Sequence, residues 1–280
     1  MKIEINDLGF SYKKNAPLFQ GLHLSAQSGD IVGLLGRNGA GKTTLINIIA
    51  GLMCPDDGAC KIDGRDVAAR HPATLADIFY MPEEIGFSRS VSGERYRRAH
   101  APLYPRFDDD AYARYCREFE ISERANLQKL SMGERKKFFL AFGLATGAKL
   151  LLLDEPTNAL DISAKGYLRQ YVTEAVAQRE GMAIISTHQV REVENLVNPV
   201  VIIEKGEVIF WQSAESIAEK LTTEIMPEAP PDAIHTQATP GGVAVLRVRR
   251  ADEAAGRVDW EMLFNAAMTN AKALSAPFEK

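Results

Sequence analysis

Between Asp30 and Ala50 an apolar run, Asp30-Ile31-Val32-Gly33-Leu34-Leu35, passes into Gly36-Arg37-Asn38-Gly39-Ala40-Gly41-Lys42-Thr43-Thr44 and then into a segment of helical texture. No other stretch constrains the fold as much. The glycine-rich part fits the P-loop pattern G-x-x-x-x-G-K-[ST]. Its glycines let the backbone turn N–H groups inward around the oxygens of an anion. The helix that follows presents its positive end to the same anion. Lys42 then reaches the β- and γ-phosphates of a nucleotide, and Thr43 places its hydroxyl on Mg²⁺. A glycine-rich turn without a ligand is the bland alternative, and the buried strand before it and the helix after it argue against that. The candidate nucleotide-binding residues are Gly36, Asn38, Gly39, Ala40, Gly41, Lys42, Thr43 and Thr44.

The rest of the chain alternates strands and helices. Ile3 to Gly9 and Leu18 to Ala26 read as short strands. Leu150 to Leu153, Ala183 to Ser186 and Pro199 to Ile203 are continuous apolar runs of strand length, as expected of strands buried on both faces. Helical spacing runs from Asp108 through Ala111, Tyr112, Tyr115 and Phe119. The pattern predicts an α/β core with a largely parallel sheet. Met226 to Pro240 is rich in Pro, Ala and Thr and reads as a linker. Beyond it, Val243 to Val248 reads as a strand, and Asp259 as the cap of a helix through Met262, Leu263, Phe264 and Met268.

Two acids end the apolar run at Asp154-Glu155. In an open parallel sheet that end borders the ligand crevice. Successive side chains on a strand point to opposite sides, so the two acids have different tasks. Asp154 suits a Mg²⁺ shell, and Glu155 suits polarising an attacking water. Alone the pair would be weak evidence, but after a P-loop it is strong.

Composition narrows the setting. The chain has 280 residues, 46% hydrophobic and 25% charged, with a net charge of -4, which gives no global pull toward nucleic acid. The basic runs Arg95-Tyr96-Arg97-Arg98 and Arg135-Lys136-Lys137 read as solvated helix faces. Cys54, Cys60 and Cys116 show no zinc spacing and read as structural residues of a reducing cytosol. A polar, strand-like start predicts no signal peptide. The most apolar stretch, Phe138 to Leu153, is too short to span a bilayer, so membrane spanning would fall to another chain.

Four further segments carry a resemblance. Leu130-Ser131-Met132-Gly133-Glu134 resembles the L-S-G-G-Q signature of ABC ATPases and lies just before the Asp154-Glu155 strand, as in that family. Asn158-Ala159-Leu160-Asp161 resembles the D-loop, Ser186-Thr187-His188 the switch histidine, and Tyr12 stands at the place of the adenine-stacking aromatic. The likeness spans roughly Met1 to Leu221, and Tyr104 to Glu120 looks like the helical part of a bacterial branch close to antibiotic-export ATPases. It implies a P-loop NTPase core of ABC type with an N-terminal antiparallel β part and an inserted helical subdomain near residues 85–130. Residues 1–221 would form the ATPase domain, 222–242 a linker and 243–280 a short extension.

The resemblance also implies a mechanism. Two ATPase domains meet head to tail, as a homodimer or a heterodimer, against a transmembrane permease subunit on the inner face of the membrane. Each ATP lies between one P-loop and the other chain's signature. Ser131 and the backbone of Gly133 contact the γ-phosphate across the interface, Asp161 links the two sites, and His188 senses the γ-phosphate in its own chain. Two departures stand out. Glu83 occupies the place of the Q-loop glutamine that touches Mg²⁺ and the membrane partner, and the signature has Met132 for glycine and Glu134 for glutamine. A carboxylate at Glu83 can still accept from a metal-bound water.

Three rivals are less consistent with these residues. A soluble ABC ATPase of repair or translation carries a long coiled-coil insertion or two P-loops, whereas one P-loop and a short span from Lys42 to Ser131 are present. A small-molecule P-loop kinase explains Lys42 but not the signature, D-loop and switch histidine together. A non-catalytic regulatory subunit should lack Glu155.

Overall fold

Two kinds of strand separate this chain into two layers. β1 (Lys2–Lys13) and β2 (Ala16–Gln27) alternate between buried and exposed positions, the mark of strands with one face on the core. β3 (Ile31–Leu35) is buried at every position, as a strand covered on both faces must be. A computed structural model describes residues 1–13, 16–87, 90–250, 252–253 and 257–279.

The first layer is an antiparallel sheet in which β1 lies between β2 and β4 (Asp57–Ile62), with the short β5 (Arg65–Asp66) beyond β4. Between it and the central sheet lies α1 (Lys42–Ile49), whose Leu45, Ile46 and Ile48 pack with Ile3, Phe19 and Cys60. After α2 (Pro72–Leu75), β6 (Ile78–Met81) enters the second layer. That sheet also contains β7 (Leu150–Asp154), β8 (Met182–Thr187), β9 (Val200–Glu204) and β10 (Glu207–Gln212). The order is β10-β9-β3-β8-β7-β6, with parallel pairing except between β9 and β10.

Because side chains alternate across a strand, the sheet's two faces feed two cores. Val32, Leu34, Leu150, Leu152, Ile184, Val201 and Ile203 join the core with α1. Leu35, Leu151, Leu153, Ile185 and Ile202 join a larger core on the other face. This is the α/β architecture, with its antiparallel part and helical insert, that the sequence predicts.

The helical insert begins with α3 (Gly93–His100), capped by Ser92, and α4 (Asp109–Glu118), capped by Asp108 through Ala111 N–H at 2.9 Å. Tyr112, Tyr115 and Phe119 turn inward, as their spacing predicts, toward α5 (Met132–Ala145). Phe142 of α5 meets the rings of Tyr96, Phe107 and Tyr112. α6 (Ile162–Arg179) and α7 (Ala214–Lys220) follow β7 and β10.

The segment read as a linker is instead built into a sheet. β11 (Leu221–Met226) and β12 (His235–Thr239) pair antiparallel with the two edges of β13 (Gly242–Val248). The prolines that suggest a linker, Pro227, Pro230, Pro231 and Pro240, stand in the connections and spare the strands. α8 (Trp260–Ser275) begins at the expected cap, Asp259, which accepts from Glu261 N–H at 2.9 Å and Met262 N–H at 3.0 Å. Its Met262, Leu263 and Ala266 join the larger core. Among the described residues no helix is long and apolar enough to cross a membrane.

Candidate functional site

The parallel register gathers the predicted residues at one sheet end. Leu35 stands beside Thr187, Asp154 beside Ser186, and Met81 beside Leu153. The loop after β3, the acids after β7, His188 after β8 and Glu83 after β6 therefore emerge side by side, at the carboxyl ends where ligands of such sheets bind. A cleft of about 420 Å³ opens there. Tyr12, Asn38, Gly39, Gly41, Lys42, Thr43, Thr44, Glu83, Asp154 and Glu155 all line it.

Gly41 opens α1 at φ 110°, in the left-handed region where a side chain would be strained. That turn folds the loop around Lys42, which is buried and whose Nζ donates to the carbonyls of Gly36 at 2.8 Å and Arg37 at 3.1 Å. Burial pushes its ammonium below the ordinary lysine range, opposed by the carboxylates of Glu155, Asp154 and Glu83. Thr43 Oγ1 donates to Asp154 Oδ2 at 2.7 Å, and Ser186 Oγ donates to the other Asp154 oxygen. Tyr12 is 63% exposed, with its hydroxyl 2.7 Å from Thr44 Oγ1.

Glu155 is 3% exposed and turns in the left-handed region, at φ 45°. Its N–H donates to the carbonyl of Ser186 at 3.0 Å. One carboxylate oxygen accepts from the N–H of His188 at 3.0 Å and from His188 Nδ1 at 2.7 Å, and the other accepts from Thr187 Oγ1 at 2.9 Å. Lys42 Nζ stands 4.0 Å away. Asp154 and Glu155 thus turn to different neighbours: one to the Thr43 hydroxyl, the other to His188.

Ser131, Gly133 and Asp161 do not line this cleft. Ser131 caps α5 in a capping box: its Oγ accepts from Glu134 N–H at 3.3 Å, and Glu134 accepts from Ser131 N–H at 2.8 Å. A carboxylate in place of the family's glutamine therefore serves the helix start, and those bonds hold Glu134 below the usual carboxylate range. A Cβ on Gly133 would come within 2.5 Å of the Ala159 carbonyl, so the start of α5 packs closely against the turn before α6. Asp161 caps α6 through Ala164 N–H at 2.8 Å and pairs with Lys137 at 2.5 Å.

Lys136, taken with its neighbours as a solvated face, is 1% exposed, and its Nζ donates to the Glu155 carbonyl. Helix geometry sends adjacent residues about 100° apart, so one member of a basic run can point inward. Cys60 and Cys116 are buried, with burial pushing their thiols up to about 12 and about 11, but Cys54 is exposed. Nothing in a run of charges marks, in the sequence, which one is enclosed.

Comparison with known proteins agrees with this geometry. The family described as ABC transporter matches residues 19–158. The ABC transporter ATP-binding protein YtrB of Bacillus subtilis (strain 168) is 28% identical over 78% of this chain and 74% of its own. The lipopolysaccharide export system ATP-binding protein LptB of Haemophilus influenzae is 33% identical over 75% of this chain and 90% of its own. A structure of the ATP binding subunit of an ABC transporter superposes with a TM-score of 0.70 at 26% identity, over 78% of this chain and 92% of that one. The family match and the shared fold agree, and the chain belongs to the ABC transporter family as an ATP-binding, ATP-hydrolysing subunit.

Proposed function

We propose that ATP, with Mg²⁺, binds in the cleft at the carboxyl end of the parallel sheet and is completed by the signature of a second ATPase chain, and that the cycle drives export through a separate membrane subunit. The observation that carries this reading is the convergence of Lys42, Thr43, Asp154 and Glu155 on one cleft. In it, Lys42 and the N-terminal end of α1 hold the phosphates, and the exposed Tyr12 ring stacks on adenine. Thr43 Oγ1 and Asp154 Oδ2 are hard oxygen donors 2.7 Å apart. They fit Mg²⁺, which takes one or two protein oxygens and leaves its other positions to phosphate and water, and Glu83 on the same cleft wall would accept from such a water. When bound, Mg²⁺ would supply positive charge that offsets the charge developing on the transferred phosphoryl group.

Glu155 accepts a proton from the water whose oxygen bonds to the γ-phosphorus, as the bridging oxygen departs with ADP. His188 holds that carboxylate through Nδ1, and through it would sense the γ-phosphate on which Glu155 acts. Ser131 and Gly133 stand at the start of α5, a helix end suited to a γ-phosphate, but outside this chain's own cleft, which favours their use by a partner chain. Asp161 then joins the two sites. The pair, of identical or related chains, sits on the inner membrane face. Export is the direction favoured by the helical segment Tyr104 to Glu120, although relatives named for uptake match over a similar span.

Mixing tests completion between chains. Lys42→Ala removes the phosphate ligand and Ser131→Arg blocks the signature. Each alone should hydrolyse ATP poorly, and their mixture should recover activity through the one composite site with both halves intact. Wild-type turnover in either variant alone, or turnover per chain that stays constant on dilution below the dimer dissociation constant, would refute the sandwich.

A further inference from the structure

We propose that Lys136 is a positioning residue for hydrolysis, holding the main chain of Glu155 from the first turns of α5 and thereby setting the direction of the Glu155 carboxylate. The inference rests on the reading of Glu155 as the base. It starts from burial. Lys136 is 1% exposed, and a buried ammonium is tolerated only where its charge and hydrogen bonds are used. Here the Nζ donates to the Glu155 carbonyl. Around it stand the carboxylates of Glu83, Glu155, Asp154 and Glu192, whose charge resists the downward push of burial on the ammonium. Three of these acids line the ATP cleft, so the lysine offsets their mutual repulsion from behind.

Glu155 needs such a hold. Its φ of 45° is in the left-handed region, a conformation that a non-glycine residue keeps only when its surroundings enforce it. Its N–H is bound by Ser186 and its carboxylate by His188 and Thr187. Its carbonyl takes the Lys136 ammonium, with a long contact of 3.4 Å from Asn158 N–H as the other partner. A charged donor makes the stronger bond of the two.

The place of Lys136 on the chain gives the contact a second use. α5 begins with the signature residues, and three successive side chains of its early turns grip other parts of the site. Arg135 donates to the carbonyls of Ile85 at 3.2 Å and Gln128 at 2.8 Å, Lys136 reaches Glu155, and Lys137 pairs with Asp161. A displacement of α5, such as one imposed on the signature by a partner's nucleotide, is therefore passed to the base through Lys136.

The test uses the full chain and Mg-ATP. Lys136→Met, which keeps the length and the apolar stem, should leave ATP affinity by calorimetry within about threefold. It should lower single-turnover hydrolysis by roughly 10- to 100-fold, the scale of a misplacement near 1 Å. Lys136→Gln, whose amide still donates, should recover part of that loss and also serves if the methionine variant does not fold. In a Glu155→Gln background, Lys136→Met should add less than about twofold, because groups acting as one unit are not additive. Wild-type turnover in both Lys136 variants, or an undiminished loss in the Glu155→Gln background, would overturn the proposal. Wild-type turnover in Glu155→Gln alone would instead overturn the assignment of the base, a failure distinguishable because it does not involve Lys136.

Discussion

Replacing Glu155 with glutamine separates the base from everything else this residue does. The carboxylate oxygen facing His188 accepts from the backbone N–H at 3.0 Å and from Nδ1 at 2.7 Å. A glutamine carbonyl oxygen at that place keeps both. The other oxygen accepts from Thr187 Oγ1 at 2.9 Å. A glutamine amide there reverses the bond, and the threonine hydroxyl, which already accepts from Gln189 N–H at 3.0 Å, has a second lone pair to offer. The hydrogen-bond count is conserved, so the change in folding stability should stay near one exchanged bond, about 1 kcal/mol. Loss of one negative charge 4.0 Å from Lys42 Nζ leaves phosphate binding intact or strengthened. What disappears is the proton acceptor, worth about 10²–10⁴-fold in rate, or about 2.7–5.4 kcal/mol of barrier. Single-turnover hydrolysis measures the rate, calorimetry the ATP affinity, and size exclusion with Mg-ATP the closed pair, which should accumulate when hydrolysis no longer opens it. A Glu155→Gln protein that turns over normally, or one that loses ATP binding, would refute the reasoning.

Lys42→Ala should weaken ATP binding by at least about 10- to 150-fold, since a charge-assisted hydrogen bond contributes about 1.5–3 kcal/mol and its removal leaves nearby carboxylates unopposed. Unchanged affinity by calorimetry would show that the glycine loop is not the phosphate site. Glu83→Gln should keep or raise basal ATPase activity, because one negative charge leaves the cleft wall that also holds Asp154 and Glu155. A steady-state assay that finds ATP binding abolished would assign Glu83 a role other than holding water on the metal.

Much of this protein is decided by local pattern. The run from Asp30 through Thr44 has few foldable outcomes, because its glycines and Lys42-Thr43 make a turn that only a strand before and a helix after can use. The apolar runs ending at Asp154 and Ser186 announced strands buried on both faces, and the parallel register of such strands brings their ends together without further instruction. Asp259 and Ser131 capped helices as their types predict. Other features depend on partners distant in the chain. The strand β12 lies in a proline-rich stretch whose composition reads as linker, and it stands on one edge of β13, whose other edge pairs with β11 across that whole stretch. Gly133, at the start of α5, lies against the Ala159 carbonyl in the turn before α6, a contact that no spacing encodes. In Arg135-Lys136-Lys137 the three charges are alike in sequence, yet packing of α5 turns the middle one onto Glu155 and leaves its neighbours nearer solvent. A charge is driven inside only when the carbonyls and carboxylates that receive it are already gathered there, and that gathering is the work of the tertiary structure.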